Sequence, residues 1–192
     1  MRCLLIIWYI HGAGASDRSF AWLYEQLPEF PAKFFNYGVN EASHSAINRL
    51  SQAIAEDARP AILVGHSLGG IIATAADAAN VTGRVTLCAP FGGARHADFL
   101  SLFYSHPLLS DLRSHGRLLR EVRTAHATKP HLAIVATQGL PFFTEDNDGA
   151  VTVASQTALG GVRYARLPLN HFEVLLSPDV ADLIRTFARD TR

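Results

Sequence analysis

Hydrophobic residues fall in short continuous runs along the chain, and each run is followed by a turn and an amphipathic stretch. The runs are rich in β-branched and aromatic residues and lie at 3–10, 32–37, 61–66, 84–89, 131–137 and 162–167. Continuous rather than alternating apolar residues are typical of strands that are buried on both faces of a parallel sheet. The pattern therefore predicts about six strands in a mostly parallel sheet.

Segments whose apolar residues have helical spacing lie between these runs. Ile47, Leu50 and Ile54 are three and four residues apart, small apolar residues fill 68–79, and 178–190 has one apolar face behind a serine-proline start. Strands that alternate with helices imply right-handed crossovers and helices on both faces of the sheet. We predict an α/β, doubly wound fold that binds its ligand beyond the carboxyl ends of the strands.

One long segment, 91–130, interrupts the alternation of strands and helices. Apolar residues recur there at helical spacing, and four of them are candidate pocket residues: Phe99, Leu102, Phe103 and Leu108. Connections of this length often carry function. We expect a single domain, 1–192, in which the segment is a helical insertion that caps the substrate; an ordinary helical insertion is the alternative.

Composition and charge exclude several classes of protein. The chain has 192 residues, of which 48% are hydrophobic and 18% charged, so it is not disordered. Its 17 basic and 17 acidic residues give no net charge, and hence no global field that attracts nucleic acid. No apolar run approaches the roughly 18–20 residues that a membrane-spanning helix needs.

The N-terminal segment and the cysteines indicate a compartment. Residues 1–10 are basic and then apolar, but no small-residue cleavage site follows, and we interpret them as a buried strand rather than a signal peptide. Cys3 and Cys88 lack metal-binding or redox spacing, which favours buried, reduced thiols. We therefore expect a cytoplasmic protein.

The strongest chemical signal is the segment GHSLGG at 65–70, which follows a predicted strand and opens a predicted helix. This is the context of the G-x-S-x-G nucleophile elbow, in which a tight turn strains the central serine and exposes its hydroxyl. Side chains at Gly65 and Gly69 would collide in such a turn. The motif predicts Ser67 as a nucleophile; a small-residue turn that merely packs helix on strand is the alternative.

A second glycine-containing loop, HGAG at 11–14, follows the first predicted strand. Glycines there let the backbone turn and present N–H groups to a reacting oxygen. A dinucleotide-binding loop would need a third glycine, but Asp17 occupies that position. We expect no cofactor.

Together these motifs resemble the α/β-hydrolase superfamily over essentially the whole chain. The resemblance implies the α/β-hydrolase fold and a triad in the chain order serine, acid, histidine. The segment NDGAV at 147–151, with Ser155 and the later Asn170–His171, is similar to the pattern around the acid and histidine of bacterial triacylglycerol lipases. On that match Asp148 is the acid and His171 the base. Asp146 is an alternative acid, and a plain Asx turn is another interpretation of the loop.

The resemblance also implies an oxyanion hole made by the backbone N–H groups of Ala13 and Leu68. The lipases differ from this chain, because they are mostly secreted and larger and many hold calcium near the histidine. Glu173 alone does not define a calcium site, and we expect no metal.

These features predict a serine hydrolase of the esterase or lipase type that acts on a small-molecule ester, with an apolar acyl group favoured by the apolar insertion. The same triad serves acyltransferases, thioesterases and perhydrolases, and a non-catalytic binding protein on this fold is the alternative from another class. No nucleic-acid partner and no membrane-spanning segment are expected.

Overall fold

The computed structural model describes residues 4–38, 40–93, 116–124, 129–139 and 145–191. Its strands are β1 (Ile6–Ile10), β2 (Ala32–Phe35), β3 (Ala61–His66), β4 (Val81–Leu87), β5 (His131–Ala136) and β6 (Arg163–Leu167). They form one sheet in the order β2-β1-β3-β4-β5-β6, in which every neighbouring pair is parallel. The predicted sheet of about six parallel strands is confirmed.

Helices cover both faces of this sheet. They are α1 (Ala21–Gln26), α2 (Ser43–Asp57), α3 (Leu68–Ala75), α4 (Arg117–Thr124), α5 (Val153–Gln156) and α6 (Pro178–Asp190). Ile6, Trp8 and Ile10 of β1 belong to the core beneath α2, α3 and α4, whereas Ile7 and Tyr9 belong to the core beneath α1 and α6. Alternate residues of one strand thus enter opposite cores, as a doubly wound sheet requires.

Burial on both faces is confirmed for the inner strands and wrong for the two edge strands. Every residue of β1, β3 and β5 is buried, whereas no residue of β6 is, and only Phe35 of β2 is. An edge strand has a neighbour on one side only and extends to the rim of the helical layers. The apolar residues of an edge strand therefore predict the strand but not its complete burial.

Helix α3 is shorter than the segment 68–79 that the sequence predicts. It ends at Ala75, and Ala76 already has extended backbone. The buried guanidinium of Arg84 donates from Nε to the carbonyl of Ala73 at 3.1 Å and from Nη2 to that of Ala76 at 2.8 Å. These bonds satisfy carbonyls at the helix end, which otherwise lack intrahelical partners.

Part of the predicted insertion 91–130 is a core helix. Leu118, Leu119 and Val122 of α4 are buried in the same core as α2 and α3. The proposed pocket residues Phe99, Leu102, Phe103 and Leu108 lie outside the described residues, and the cap and the single-domain organisation stay predictions.

The strand order reverses beside β1. The connection from β1 leads to β2 on one side, and the connection from its neighbour β3 leads to β4 on the other side. Such a reversal opens a crevice at the carboxyl ends of the strands concerned, here β1 and β3. None of the described helices has the length and apolar character needed to cross a bilayer.

Candidate active site

Ser67 lies in a strained turn between β3 and α3. Its φ of 53° and ψ of −123° place a non-glycine residue in the left-handed half of backbone space. A Cβ atom on Gly65 would lie 2.7 Å from the Cα of Gly70, and one on Gly69 would overlap the carbonyl oxygens of Ile10 and His11. The close approach that the elbow motif predicts at both glycines is confirmed.

The loop after β1 packs directly against this turn. A Cβ atom on Gly12 would lie 3.3 Å from the Cβ of Ser67. The loop is fixed from outside by Tyr37, whose hydroxyl donates to the carbonyl of His11 at 2.8 Å and whose ring stacks on the His11 ring at 4.4 Å. Ala13 follows Gly12 in this loop.

Leu68 is the first residue of α3, directly after Ser67, and its side chain is fully buried. The first N–H groups of a helix have no intrahelical acceptor. The two residues predicted to supply the oxyanion hole thus lie in two backbone segments that meet at Ser67.

Asp148 is completely buried in the loop after β5. Its Oδ1 accepts hydrogen bonds from the backbone N–H groups of Ala150 at 2.9 Å and Val151 at 2.7 Å. Its Oδ2 accepts a hydrogen bond from His171 Nδ1 at 2.7 Å. Asp146, the alternative acid, is exposed.

The predicted Asx turn is present in the same loop. Asn147 Oδ1 accepts a hydrogen bond from the backbone N–H of Gly149 at 2.8 Å. Asp148 makes a second Asx turn through Oδ1, which accepts the Ala150 N–H, and its Oδ2 still reaches the histidine. The two interpretations of this segment are therefore compatible.

The backbone N–H and the backbone carbonyl of His171 are both hydrogen-bonded. Its N–H donates to the carbonyl of Asp148, and its own carbonyl accepts a hydrogen bond from His66 Nε2, each at 2.8 Å. The rings of His66 and His171 lie 4.8 Å apart between centroids. Since His66 directly precedes Ser67, the structure brings the three residues of the predicted triad to the same edge of the sheet.

Three side chains of this site have no catalytic assignment in the sequence analysis: His66, Cys88 and Gln156. Burial, and then the proximity of His171, lowers the pKa of His66 to about 3, so its ring stays neutral and donates to the His171 carbonyl. Burial raises the pKa of the Cys88 thiol, which is hydrogen-bonded to Asp148. Gln156 donates to the same carboxylate.

The position of Cys88 in the sequence could have indicated that it belongs to the site. Cys88 directly follows β4, at the sheet edge where parallel α/β folds place their ligands. Nothing in the sequence around Gln156 distinguishes it from a glutamine on a surface helix.

Within the described ranges, one group of side chains has the spacing of metal ligands. The potential ligand atoms of Cys88, Asp148 and His171 all lie within 4.8 Å of one another. His171 Nδ1 and Asp148 Oδ2 are bonded to each other rather than directed at a common point. This arrangement fits acid–base chemistry better than metal binding.

Residues 9–189 match the model of the alpha/beta hydrolase family, and the chain belongs to that family. The resemblance seen in the sequence is thereby confirmed, and the family assignment supports hydrolase activity on a small molecule. Comparison with curated protein sequences gives no significant match.

Solved structures of the same fold include the Bacillus licheniformis lipase BlEst2 in its mature form, with a TM-score of 0.78 and 16% identity over 98% of this chain and 93% of that one. A lipase-esterase related protein from Clostridium acetobutylicum ATCC 824 has a TM-score of 0.66 and 14% identity over 95% and 94% of the two chains. The metagenomic carboxyl esterase MGS0156 has a TM-score of 0.71 and 18% identity over 99% and 77%. At these identities the likeness shows the fold alone.

Proposed function

We propose that the protein is a serine hydrolase that cleaves carboxylic esters through an acyl-enzyme intermediate. Ser67 is the nucleophile, His171 the general base and acid, and Asp148 the residue that orients His171. The observation that carries the proposal is the 2.7 Å hydrogen bond between His171 Nδ1 and the buried Asp148 carboxylate, at the edge where the strained Ser67 lies.

The hydrogen bond at Nδ1 of His171 supports a direction for each proton transfer. Because Nδ1–H of His171 is held by Asp148, the lone pair of the neutral ring is on Nε2 and accepts the Ser67 proton as Oγ attacks the ester carbonyl. The imidazolium then protonates the leaving alcohol. Water, deprotonated by the same nitrogen, attacks the acyl-enzyme and regenerates Ser67.

Backbone N–H groups of Ala13 and Leu68 stabilise the negative charge that develops on the carbonyl oxygen. Support comes from the packing of the Gly12 backbone against Ser67 and from the position of Leu68 at the start of α3. Backbone donors that are in place before the substrate binds need little reorganisation in the transition state.

The substrate class is a small carboxylic ester with an apolar acyl group. Structures named lipase and carboxyl esterase share the fold, which supports ester chemistry, and the apolar residues of 91–130 support an apolar acyl group. The proposal includes a cytoplasmic location, which the free, buried thiol of Cys88 supports.

The direct test is the hydrolysis of p-nitrophenyl esters by Ser67→Ala. We expect kcat/KM to fall by on the order of 10⁴-fold or more, with the circular dichroism spectrum and melting temperature retained. Ser45→Ala, which removes a hydroxyl from the exposed face of α2, is the control and should retain activity. Substantial turnover by Ser67→Ala would contradict the proposal.

A further inference from the structure

We propose that Gln156 is a positioning residue that holds the Asp148 carboxylate in place for His171. The inference rests on the proposed triad, because it concerns the acid of that triad. Gln156 is the last residue of α5 and is 1% exposed. Its Nε2 lies 3.2 Å from Asp148 Oδ2, the oxygen that also accepts the His171 hydrogen bond.

The buried carboxylate needs this donor. Burying an ionised carboxylate is costly unless its oxygens are hydrogen-bonded. Oδ1 of Asp148 has two backbone donors, from Ala150 and Val151, whereas Oδ2 has His171 and Gln156. The Cys88 thiol is a further donor to the carboxylate, but a weak one. Without the amide, Oδ2 would keep the His171 Nδ1–H but lose its second N–H donor, and the weak Cys88 thiol would not replace it.

The amide of Gln156 is itself fixed to the sheet. Its Oε1 accepts a hydrogen bond from the N–H of Ala136 at 3.0 Å, and its Nε2 lies 3.0 Å from the carbonyl of the same residue. Nε2 also lies 3.3 Å from the carbonyl of Val151. Gln156 therefore connects the last residue of β5 to the loop that carries the acid.

The chemistry of glutamine suits this position. A cation here would offset the negative charge that stabilises the His171 imidazolium, and a second carboxylate would repel Asp148 when ionised. An uncharged amide donates a hydrogen bond and leaves the charge of Asp148 available. Its length matters as well, because the same side chain reaches both the Ala136 backbone and Oδ2.

If Gln156 only stabilised the fold, its effect on kcat would not depend on Asp148. A double-mutant cycle separates this structural role from the positioning role. We expect Gln156→Met to lower kcat about 10- to 100-fold with KM little changed, the loss typical of a hydrogen bond to a charged group. In the Asp148→Ala background the same substitution should cause no further loss of kcat, because the group through which it acts is gone.

Ser155→Ala is the matched control. Ser155 lies on the same short helix, is buried, and donates from Oγ to the carbonyl of Gly93 at 2.7 Å, away from the carboxylate. It should lower the melting temperature and leave kcat unchanged. If Gln156→Met does not fold, Gln156→Glu takes its place, since it keeps an acceptor for the Ala136 N–H and should lose at least as much kcat.

The second measurement does not depend on turnover. The proton shared by His171 Nδ1 and Asp148 Oδ2 should give a far-downfield ¹H NMR resonance, which we expect to shift or broaden in Gln156→Met and to stay unchanged in Ser155→Ala. Additive losses in the cycle, a wild-type kcat in the Gln156 variant, or an unmoved resonance would overturn the inference. If Ser67→Ala instead keeps its turnover, the proposed function fails, while the resonance still decides the role of Gln156.

Discussion

At the scale of single residues, burial determines the protonation of two histidines in the sheet. Burial lowers the pKa of His66 to about 3, and burial together with the nearby Arg84 cation does the same for His131. The unfolded chain titrates at ordinary histidine values near 6.5. Between about pH 3 and 6.5 the unfolded state therefore binds more protons than the folded state, and the free energy of unfolding rises with pH.

His131→Gln tests this coupling. Glutamine keeps a polar group near Thr86 Oγ1, which lies 3.1 Å from His131 Nε2, but it does not titrate. We expect the slope of unfolding free energy against pH, measured by urea denaturation between pH 5.5 and 4, to fall by about 1.3 kcal/mol per pH unit. Measurements at pH 8, where histidine is neutral in both states, give the pH-independent cost of the substitution. An unchanged slope would exclude His131 as a source of acid destabilisation.

Burial also determines the protonation of the Cys88 thiol, which lies beside Asp148, the proposed acid. Burial, and then the charge of Asp148, raises its pKa, so the group stays a neutral thiol. A thiolate there would place a second negative charge against the carboxylate. The neutral thiol therefore makes a polar contact with Asp148 without adding a charge beside the carboxylate that His171 contacts.

At the scale of elements, the elbow depends on how closely α3 approaches β1. We expect Gly69→Ala to lower the free energy of unfolding by about 2–3 kcal/mol or to prevent folding, because the added methyl would overlap backbone carbonyls that cannot move away easily. Gly160→Ala is the control, since a Cβ atom there meets nothing within 4 Å, and it should change stability by less than about 0.5 kcal/mol. Chemical denaturation compares the two, and equal stabilities would contradict the packing described here.

Elements were predictable where local pattern decides them. Continuous apolar runs mark the strands, and the helix over 178–190 has the predicted bounds. The early end of α3 was not predictable, because its last carbonyls are bonded by Arg84 from β4. The exposure of β6 was also missed, since position within the sheet is decided by strand order and not by the residues of the strand.

At the scale of the whole molecule, the site is assembled at one edge of the sheet from loops that are distant in sequence. His66 and His171 are 105 positions apart, yet a hydrogen bond joins them. Motifs with a fixed local geometry predict the elbow, and family resemblance supplies the acid and the histidine. The contact of Cys88 with Asp148 joins the segments after two different strands, β4 and β5. Gln156 is only eight positions from Asp148, but the contact depends on how the β5–β6 connection folds back on itself, and no local sequence pattern indicates it.

The central claim is that His171 activates Ser67 for covalent attack, and labelling with a fluorophosphonate probe tests it most directly. Intact mass and peptide mapping should show one adduct, on Ser67, in the native protein and none after denaturation. His171→Ala should label slower by on the order of 10³-fold or more. A native protein that stays unlabelled or is modified elsewhere, or a His171→Ala variant that reacts at the native rate, would contradict the account.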